Sequence, residues 1–250
     1  KDKRIYFVPS RSFRGVFRDL PVLFLSICAS QVYGHLHGND AKEFFDNIRG
    51  LGLKFLYRKV EFLSPSKLLT NKLRSLEYNC TTIENFYSDS AMVVDNEINE
   101  FVSTAREVNA KIIVWNSNLM SSKGILDLLK GIEILNSNSI PLYVLCFGRV
   151  FKDGEMSCEE LERRLDYYKD RPWIKFFGPR EREIIKYAIS LTDCVALPSR
   201  YPTECQPLSL IEGMVAGVDV LISNTDALKE TIGDYPYVIL DDGCMVKNLE

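Results

Sequence analysis

Ten short apolar runs alternate along this chain with nine longer stretches in which apolar residues return every three or four positions. Read as strands, the runs are Ile5–Val8, Gln31–Leu36, Lys59–Leu63, Thr81–Ile83, Lys111–Trp115, Leu142–Phe147, Ile174–Phe177, Cys194–Leu197, Val218–Ile222 and Tyr237–Leu240. Read as helices, the stretches are Gly15–Ser30, Ala41–Tyr57, Pro65–Leu76, Ile98–Glu107, Lys123–Asn136, Ser157–Tyr168, Glu181–Leu191, Gln206–Ala216 and Asp226–Ile232. Strands separated by helix-length patterns build βαβ units, with parallel sheets and right-handed crossovers. The expected class is therefore α/β.

Residues 86–110, FYSDSAMVVDNEINEFVSTAREVNA, break the rhythm: they are polar, acidic and poor in buried-strand character. The chain divides there into a first α/β layer over 1–88, a linker over 89–109 and a second layer over 110–250. It starts on Lys rather than Met and runs straight into a strand, so the first layer is expected to be incomplete at its N-terminus. The formal charge is −3, from 31 basic and 34 acidic residues, which gives no global field for nucleic acid. The charge is uneven, however. Lys1, Lys3, Arg4, Arg11, Arg14 and Arg18 face only Asp2 before Asp19. That cluster reads either as a solvated helix face or as a patch for anionic lipid or phosphate. The seven cysteines (Cys28, Cys80, Cys146, Cys158, Cys194, Cys205, Cys244) show no metal-ligand spacing, and several lie in apolar runs as small core residues. A reducing cytoplasm is the expected compartment. The longest apolar run, Leu20 to Ala29, is about half the length of a membrane span, which leaves peripheral association only.

One segment concentrates chemistry: LPSRYPTECQPLSLIEGMVAG, Leu197 to Gly217. A strand ends, a loop with two prolines follows, and a helix starts near Gln206–Pro207, where proline at the first turn costs no hydrogen bond. The backbone N–H groups of Leu208 and Ser209 then emerge from a helix N-terminus at the C-terminal edge of a parallel sheet, which is an anion site. Glu204 precedes that helix and Glu212 follows eight residues later, two turns in. They are either surface carboxylates or groups that bracket a diphosphate between a sugar and a ribose. Lys123 opens the helix after a Ser-rich turn, where a cation is unfavourable unless it is solvated or faces an anion. No D-x-D occurs, so a carboxylate-held Mg²⁺ has no obvious ligands and no metal site is expected. The two histidines, His35 and His37, share one strand face; from the residues alone they read as a metal pair lacking a third ligand or as a buried structural pair.

The Leu197–Gly217 segment resembles the E-x7-E motif of retaining glycosyltransferases with two facing Rossmann-like domains, the GT-B fold, of the glycosyltransferase family 4 (group 1) type. The resemblance extends to Lys123-Gly124 in NSNLMSSKGILDLLKGIEIL, to LYVLCFGR, WIKFFG and TDCVALPS, and in the first layer to VYGHLHG and VEFLSPS. It implies that the N-terminal domain lacks its first part, that the C-terminal crossing helix is missing, and that the chain alone does not turn over. It also implies roles. Glu204 contacts the transferred sugar, Glu212 takes the ribose hydroxyls, Lys123 neutralises the diphosphate, and His37 touches the donor sugar, with His35 structural. Phe177 and Gly178 form the edge where the base sits. The arginine that accompanies the lysine in the family is replaced around Ser117 and Asn118, which places Asn118 beside the phosphates. Glu230 is kept in TDALKE, but the glycines that usually precede it are absent.

The expected activity is transfer of a hexosyl unit from a UDP-, GDP- or other nucleotide diphosphate sugar to a glycan or lipid-linked acceptor, with retention, without metal or cofactor, in surface polysaccharide synthesis. Three alternatives stay open. They are a non-catalytic sugar-nucleotide-binding protein, another enzyme of this fold such as a sugar-nucleotide epimerase or a phosphorylase, and a scaffold with an empty cleft. A phosphorylase needs a pyridoxal-phosphate lysine site that the sequence does not display.

Overall fold

The computed structural model describes residues 3–240; Lys1, Asp2 and Cys244 of the features above lie outside the described residues. The described chain forms two compact units: residues up to Asn85 joined by Pro202–Gln206, and Phe86–Tyr201 together with the residues from Pro207 on.

The first unit contains β1 (Arg4–Phe7), α1 (Phe13–Leu25), β2 (Gln31–His35), α2 (Ala41–Gly50), β3 (Val60–Ser64), α3 (Lys67–Ser75) and β4 (Cys80–Thr82). Its four strands pair in parallel, in chain order. The apolar faces of the helices, including Val16, Leu23, Phe44, Phe45, Ile48, Leu69 and Leu73, pack on Val32, Val60 and Phe62. Ser12 and Ser66 cap α1 and α3 by accepting from Gly15 N (3.2 Å) and Leu69 N (3.1 Å), each cap contributing about 1 kcal/mol. The helix expected over Ala41–Tyr57 stops at Gly50. Gly52 adopts φ 70°, which a continuing helix cannot accommodate, and a single 3₁₀ turn, Leu53–Tyr57, follows. Likewise α1 begins at its Ser12 cap and ends at Leu25, ahead of a 3₁₀ turn at Ser26–Cys28.

The second unit contains α4 (Asn96–Glu107), β5 (Lys111–Asn116), α5 (Ile125–Ser137), β6 (Leu142–Phe147), α6 (Cys158–Asp166), β7 (Ile174–Gly178), α7 (Arg182–Ser190), β8 (Cys194–Leu197), α8 (Leu208–Ala216), β9 (Asp219–Ser223), α9 (Asp226–Ile232) and β10 (Tyr237–Leu240). All six strands are parallel, in the order β10-β9-β8-β5-β6-β7. Alternate residues of β5 serve opposite faces. Ile113 and Trp115 join Leu128, Leu129, Ile132 and Leu165 on one side, and Ile112 and Val114 join Ile98, Ala105, Ala188 and Ile189 on the other. Each fully buried aliphatic side chain contributes about 1.5–3 kcal/mol.

Residues 89–109 differ from the expected linker. Asp95 caps α4 through Glu97 N (2.9 Å) and Ile98 N (3.3 Å), and Ile98 and Ala105 are core residues of the second unit, so half of that segment is structural. The stretch before it is tied down by Lys186 of α7, only 3% exposed. Its Nζ donates to Ser90 Oγ (2.8 Å) and to the Ser88 carbonyl, and lies 4.2 Å from the Tyr87 ring centroid. In the other direction, Pro202–Gln206 leaves the second unit's sequence and joins the first, where Cys205 is buried in the core.

The six described cysteines are free. Burial pushes the Cys146 and Cys80 thiols up and the Cys194 thiol to about 12, consistent with small core residues rather than reactive thiolates. No helix among the described residues is long and apolar enough to cross a membrane.

Candidate functional site

In the second sheet the chain runs from β5 outward through β6 and β7, then returns to place β8 on the other side of β5 before continuing to β9 and β10. The C-terminal ends of β5 and β8 therefore flank the reversal, the place where open α/β sheets take ligands. The loops leaving these strands touch through backbone. Gly124 has φ 83°, and a Cβ there would lie 2.3 Å from the Pro198 carbonyl oxygen. On the opposite flank, Gly148 has φ 119° and a Cβ would lie 2.2 Å from the Ser117 carbonyl oxygen. These glycines serve backbone-to-backbone approach, which fixes the β5–α5 loop. Asp153 adds to this by accepting from Ser122 N at 2.7 Å. Burial opposes its charge, but hydrogen bonds from Ser122, Glu155 and Met156 outweigh that and hold its carboxyl below the usual range.

Glu212 stands at this reversal. It is 8% exposed, and both carboxylate oxygens are engaged: Oε2 accepts from Asn116 Nδ2 at 2.9 Å and Oε1 from Arg182 Nε at 2.8 Å. Asn116 ends β5 and Arg182 opens α7. Both also present an unused group: Asn116 Oδ1 and Arg182 Nη2 are buried and make no hydrogen bond among the described residues. An acceptor, a carboxylate and a donor thus sit side by side. The sequence reading contained neither Asn116 nor Arg182. Asn116 could have been found as the polar end of a buried strand at the C-terminal edge; Arg182 sits in the charged run PRERE and carries no local signal.

Lys123 does not open α5. It closes a 3₁₀ turn, Ser121–Lys123, and Gly124 in the left-handed region separates it from the helix. Its Nζ donates to Ser117 Oγ at 2.9 Å and lies 5.8 Å from the Tyr201 ring centroid. Lys123 and the residue standing where an arginine was expected are therefore neighbours. Asn118 is exposed on the same loop.

Helix α8 starts at Leu208. Pro207 is its N-cap rather than a first-turn residue, extended at φ −70° and ψ 128°, and no side chain caps it. The first N–H groups are those of Leu208, exposed, and Ser209, buried. Because the helix starts later, Glu212 lies little more than one turn in, not two. The Phe177 side chain is core: it stacks on Phe147 with centroids 5.1 Å apart and an interplanar angle of 20°. Gly178, with φ 66°, is the last residue of β7. Glu230 lies half-buried in α9.

His37 and Glu204 belong to the first unit. His37 is exposed just after β2, and its ring lies 4.3 Å from that of His35. The Nδ1 of His35 is 2.5 Å from Tyr6 Oη. Burial and the adjacent His37 hold the His35 imidazole below its ordinary value. A pocket of about 280 Å³ beside them is lined by Arg11, Arg18, His35 and His37 among others. Glu204 is half-buried within Pro202–Gln206. Among the described residues no group of three or more His, Cys, Asp or Glu side chains is placed to hold a metal ion.

The Glycosyl transferases group 1 family matches residues 96–248, and the chain belongs to that family. In structure it is similar to Anabaena Alr3699/HepE in complex with UDP-glucose, at 15% identity and a TM-score of 0.71, over 97% of this chain and 66% of that one. It is also similar to WaaG, a glycosyltransferase involved in lipopolysaccharide biosynthesis (13%, TM-score 0.61, 97% of this chain and 75% of that one). A third likeness is to a sucrose-phosphate synthase from Thermosynechococcus elongatus (14%, TM-score 0.58, 95% and 68%). At such identities these likenesses show the fold: α/β with parallel sheets, matching GT-B glycosyltransferases. The chain spans just under two thirds of the length of the Anabaena protein. No curated protein matches it in sequence.

Proposed function

We propose that the second unit binds a nucleotide diphosphate sugar and that the protein transfers its hexosyl unit, with retention, to a glycan or lipid-linked acceptor. One observation carries this reading: the buried Glu212 carboxylate at the sheet reversal, flanked by the unused acceptor of Asn116 and the unused donor of Arg182. A vicinal diol offers two donors and two acceptors on adjacent carbons, and a ribose meets all three groups at once. Anabaena Alr3699/HepE, of similar fold, has been solved with UDP-glucose.

In the transfer, the bond from the anomeric carbon to the diphosphate oxygen breaks and a bond to the acceptor hydroxyl oxygen forms on the same face. The acceptor proton passes to the departing phosphate. Lys123 and the N–H groups of Leu208 and Ser209 stabilise the charge that develops on the diphosphate, without a metal or other cofactor. Glu204 and His37 orient the sugar. Asn118 lies beside the phosphates, and the backbone of Phe177 and Gly178 borders the base. The setting is surface polysaccharide synthesis in the cytoplasm, with peripheral contact to a membrane.

The test is transfer from a panel of labelled sugar nucleotides, with thermal shifts in UDP, GDP and ADP measured alongside. A true binder at ligand near ~100 times Kd gains about 2.7 kcal/mol, and Glu212→Ala should abolish that gain. The second reading, sugar-nucleotide binding without turnover, draws on the replacement of the phosphate-site arginine around Ser117. It wins if the full-length protein shows the shift and no transfer is found with any donor.

A further inference from the structure

The Arg182 guanidinium is held by one edge. Its Nε donates to Glu212 Oε1, while its Nη2 is buried and unpartnered among the described residues. A planar fork fixed through a single nitrogen can still turn about that contact, which would swing Nη2 away from Asn116. Packing on that side is loose: a cavity of about 380 Å³ lies there, lined by Tyr87, Met92, Lys186, Ile189, Glu212 and Val215 among others. What meets the guanidinium is an aromatic ring. The Arg182 Cζ lies 5.8 Å from the centroid of Tyr87, within the range where a ring face attracts a cation. The ring therefore restrains the rotation that the carboxylate leaves open.

The ring is itself anchored. Lys186 follows Arg182 by one turn of α7, so the two cations lie on the same helix face. Lys186 Nζ lies 4.2 Å from the same Tyr87 centroid and donates to Ser90 Oγ at 2.8 Å and to the Ser88 carbonyl. A buried ammonium is costly unless it is satisfied, and the groups that satisfy this one come from the irregular segment before α4. Two more bonds strap the following residues to α7. Val93 N donates to the Glu183 carbonyl at 3.2 Å, and Tyr187 Oη donates to Asn99 Oδ1 at 2.5 Å. A strap serving stability alone has no need of a ring against Arg182. Here the same ring touches the tethering cation and the cation that holds Glu212, which links the strap to the site.

We propose that Tyr87 is a positioning residue of the donor site: pinned by Lys186, its ring sets the Arg182 guanidinium so that Nη2 meets the ribose. This rests on the donor reading above. The experiment is calorimetry of the protein with UDP and with 2′,3′-dideoxy-UDP, for the parent, Tyr87→Leu, Tyr87→Phe, Arg182→Lys and the Tyr87→Leu, Arg182→Lys double variant. Tyr87→Leu should weaken UDP by up to about 10-fold, the same hydrogen bond that Arg182→Lys removes, and leave the dideoxy nucleotide nearly unchanged. Tyr87→Phe keeps the ring and should bind like the parent. The double variant should be no weaker than Arg182→Lys alone, because both changes remove one contact. A fluorinated phenylalanine at position 87 keeps the shape but drains the ring face, and should weaken UDP about 2–3-fold without risk to folding. If the parent holds both nucleotides alike, or neither, the ribose reading falls and this inference with it. If the parent and Arg182→Lys behave as stated, three results sink this inference alone. They are a Tyr87→Leu variant that binds UDP like the parent, one that loses both nucleotides equally, and losses that add in the double variant.

Discussion

The Nε of Arg182 donates to Oε1 of Glu212 at 2.8 Å, across the crevice between α7 and α8, and leaves its own Nη2 buried and unused. The arginine compensates a carboxylate that has little water of its own and aims it together with Asn116. Replacing Arg182 with Met leaves that charge without its cation and should destabilise the protein by about 1–3 kcal/mol. Denaturant midpoints of Arg182→Met, Glu212→Gln and the double variant should give a positive coupling energy. Additive losses would show that the pair is incidental.

Binding should follow the same geometry. Asn116→Ala and Arg182→Lys each remove one partner of the diol and should weaken UDP about 10-fold, one charge-linked hydrogen bond's worth. Their effect on 2′,3′-dideoxy-UDP should be small. Calorimetry with both nucleotides separates a lost ribose contact from general damage.

Lys123 is expected to act on phosphate and not on the nucleoside. Lys123→Ala should weaken UDP by about 10–100-fold, the value of a charge-assisted hydrogen bond, and leave uridine unaffected. Ser117→Arg is the complementary variant: it restores a cation beside Lys123 and should tighten UDP. Equal losses for UDP and uridine would remove the lysine from the diphosphate.

Gly124 should tolerate nothing larger. Its left-handed φ alone makes Gly124→Ala cost about 1–3 kcal/mol, before the clash with Pro198 is counted. Gly154, where a Cβ meets nothing within 4 Å, provides the control; Gly154→Ala should stay within about 0.5 kcal/mol.

Acid should weaken the second unit through Asp193. Burial opposes its charge. Hydrogen bonds from Ile112 N and Arg106 Nη1, both at 2.8 Å, together with the nearby cations outweigh that and lower its carboxyl below the ordinary value. The unfolded chain therefore takes up the proton first as pH falls. The stabilisation is complete above the usual carboxylate pKa and is lost as pH drops through the lower folded value. Unfolding midpoints of the parent should fall over that acid range, and Asp193→Asn should flatten the dependence.

What the sequence revealed, and what it withheld, follows from range. Strands β6 and β8 coincide with their apolar runs because a buried parallel strand must be apolar along its whole length. Helix ends were harder. The stop at Gly50 depends on the conformation of Gly52, and periodicity carries no sign of that. Glu212 was visible because spacing within one segment marks it. Its partners were not: Asn116 lies 96 residues away and Arg182 30, and only the strand order brings them together. Lys123 stands out in the sequence, but its placement in a 3₁₀ turn rather than at the head of α5 is set by Gly124 and the nearby Pro198 backbone.

The five residues Pro202–Gln206 change how this protein can be recombined. A chimera joined at residue 85 would inherit a first unit without Cys205, one of its buried core residues, because that cysteine is encoded inside the partner half. Swapping the halves between relatives thus requires three crossovers, the one at residue 85 and one on each side of this short insert. A single cut would carry a foreign plug into the core it leaves behind.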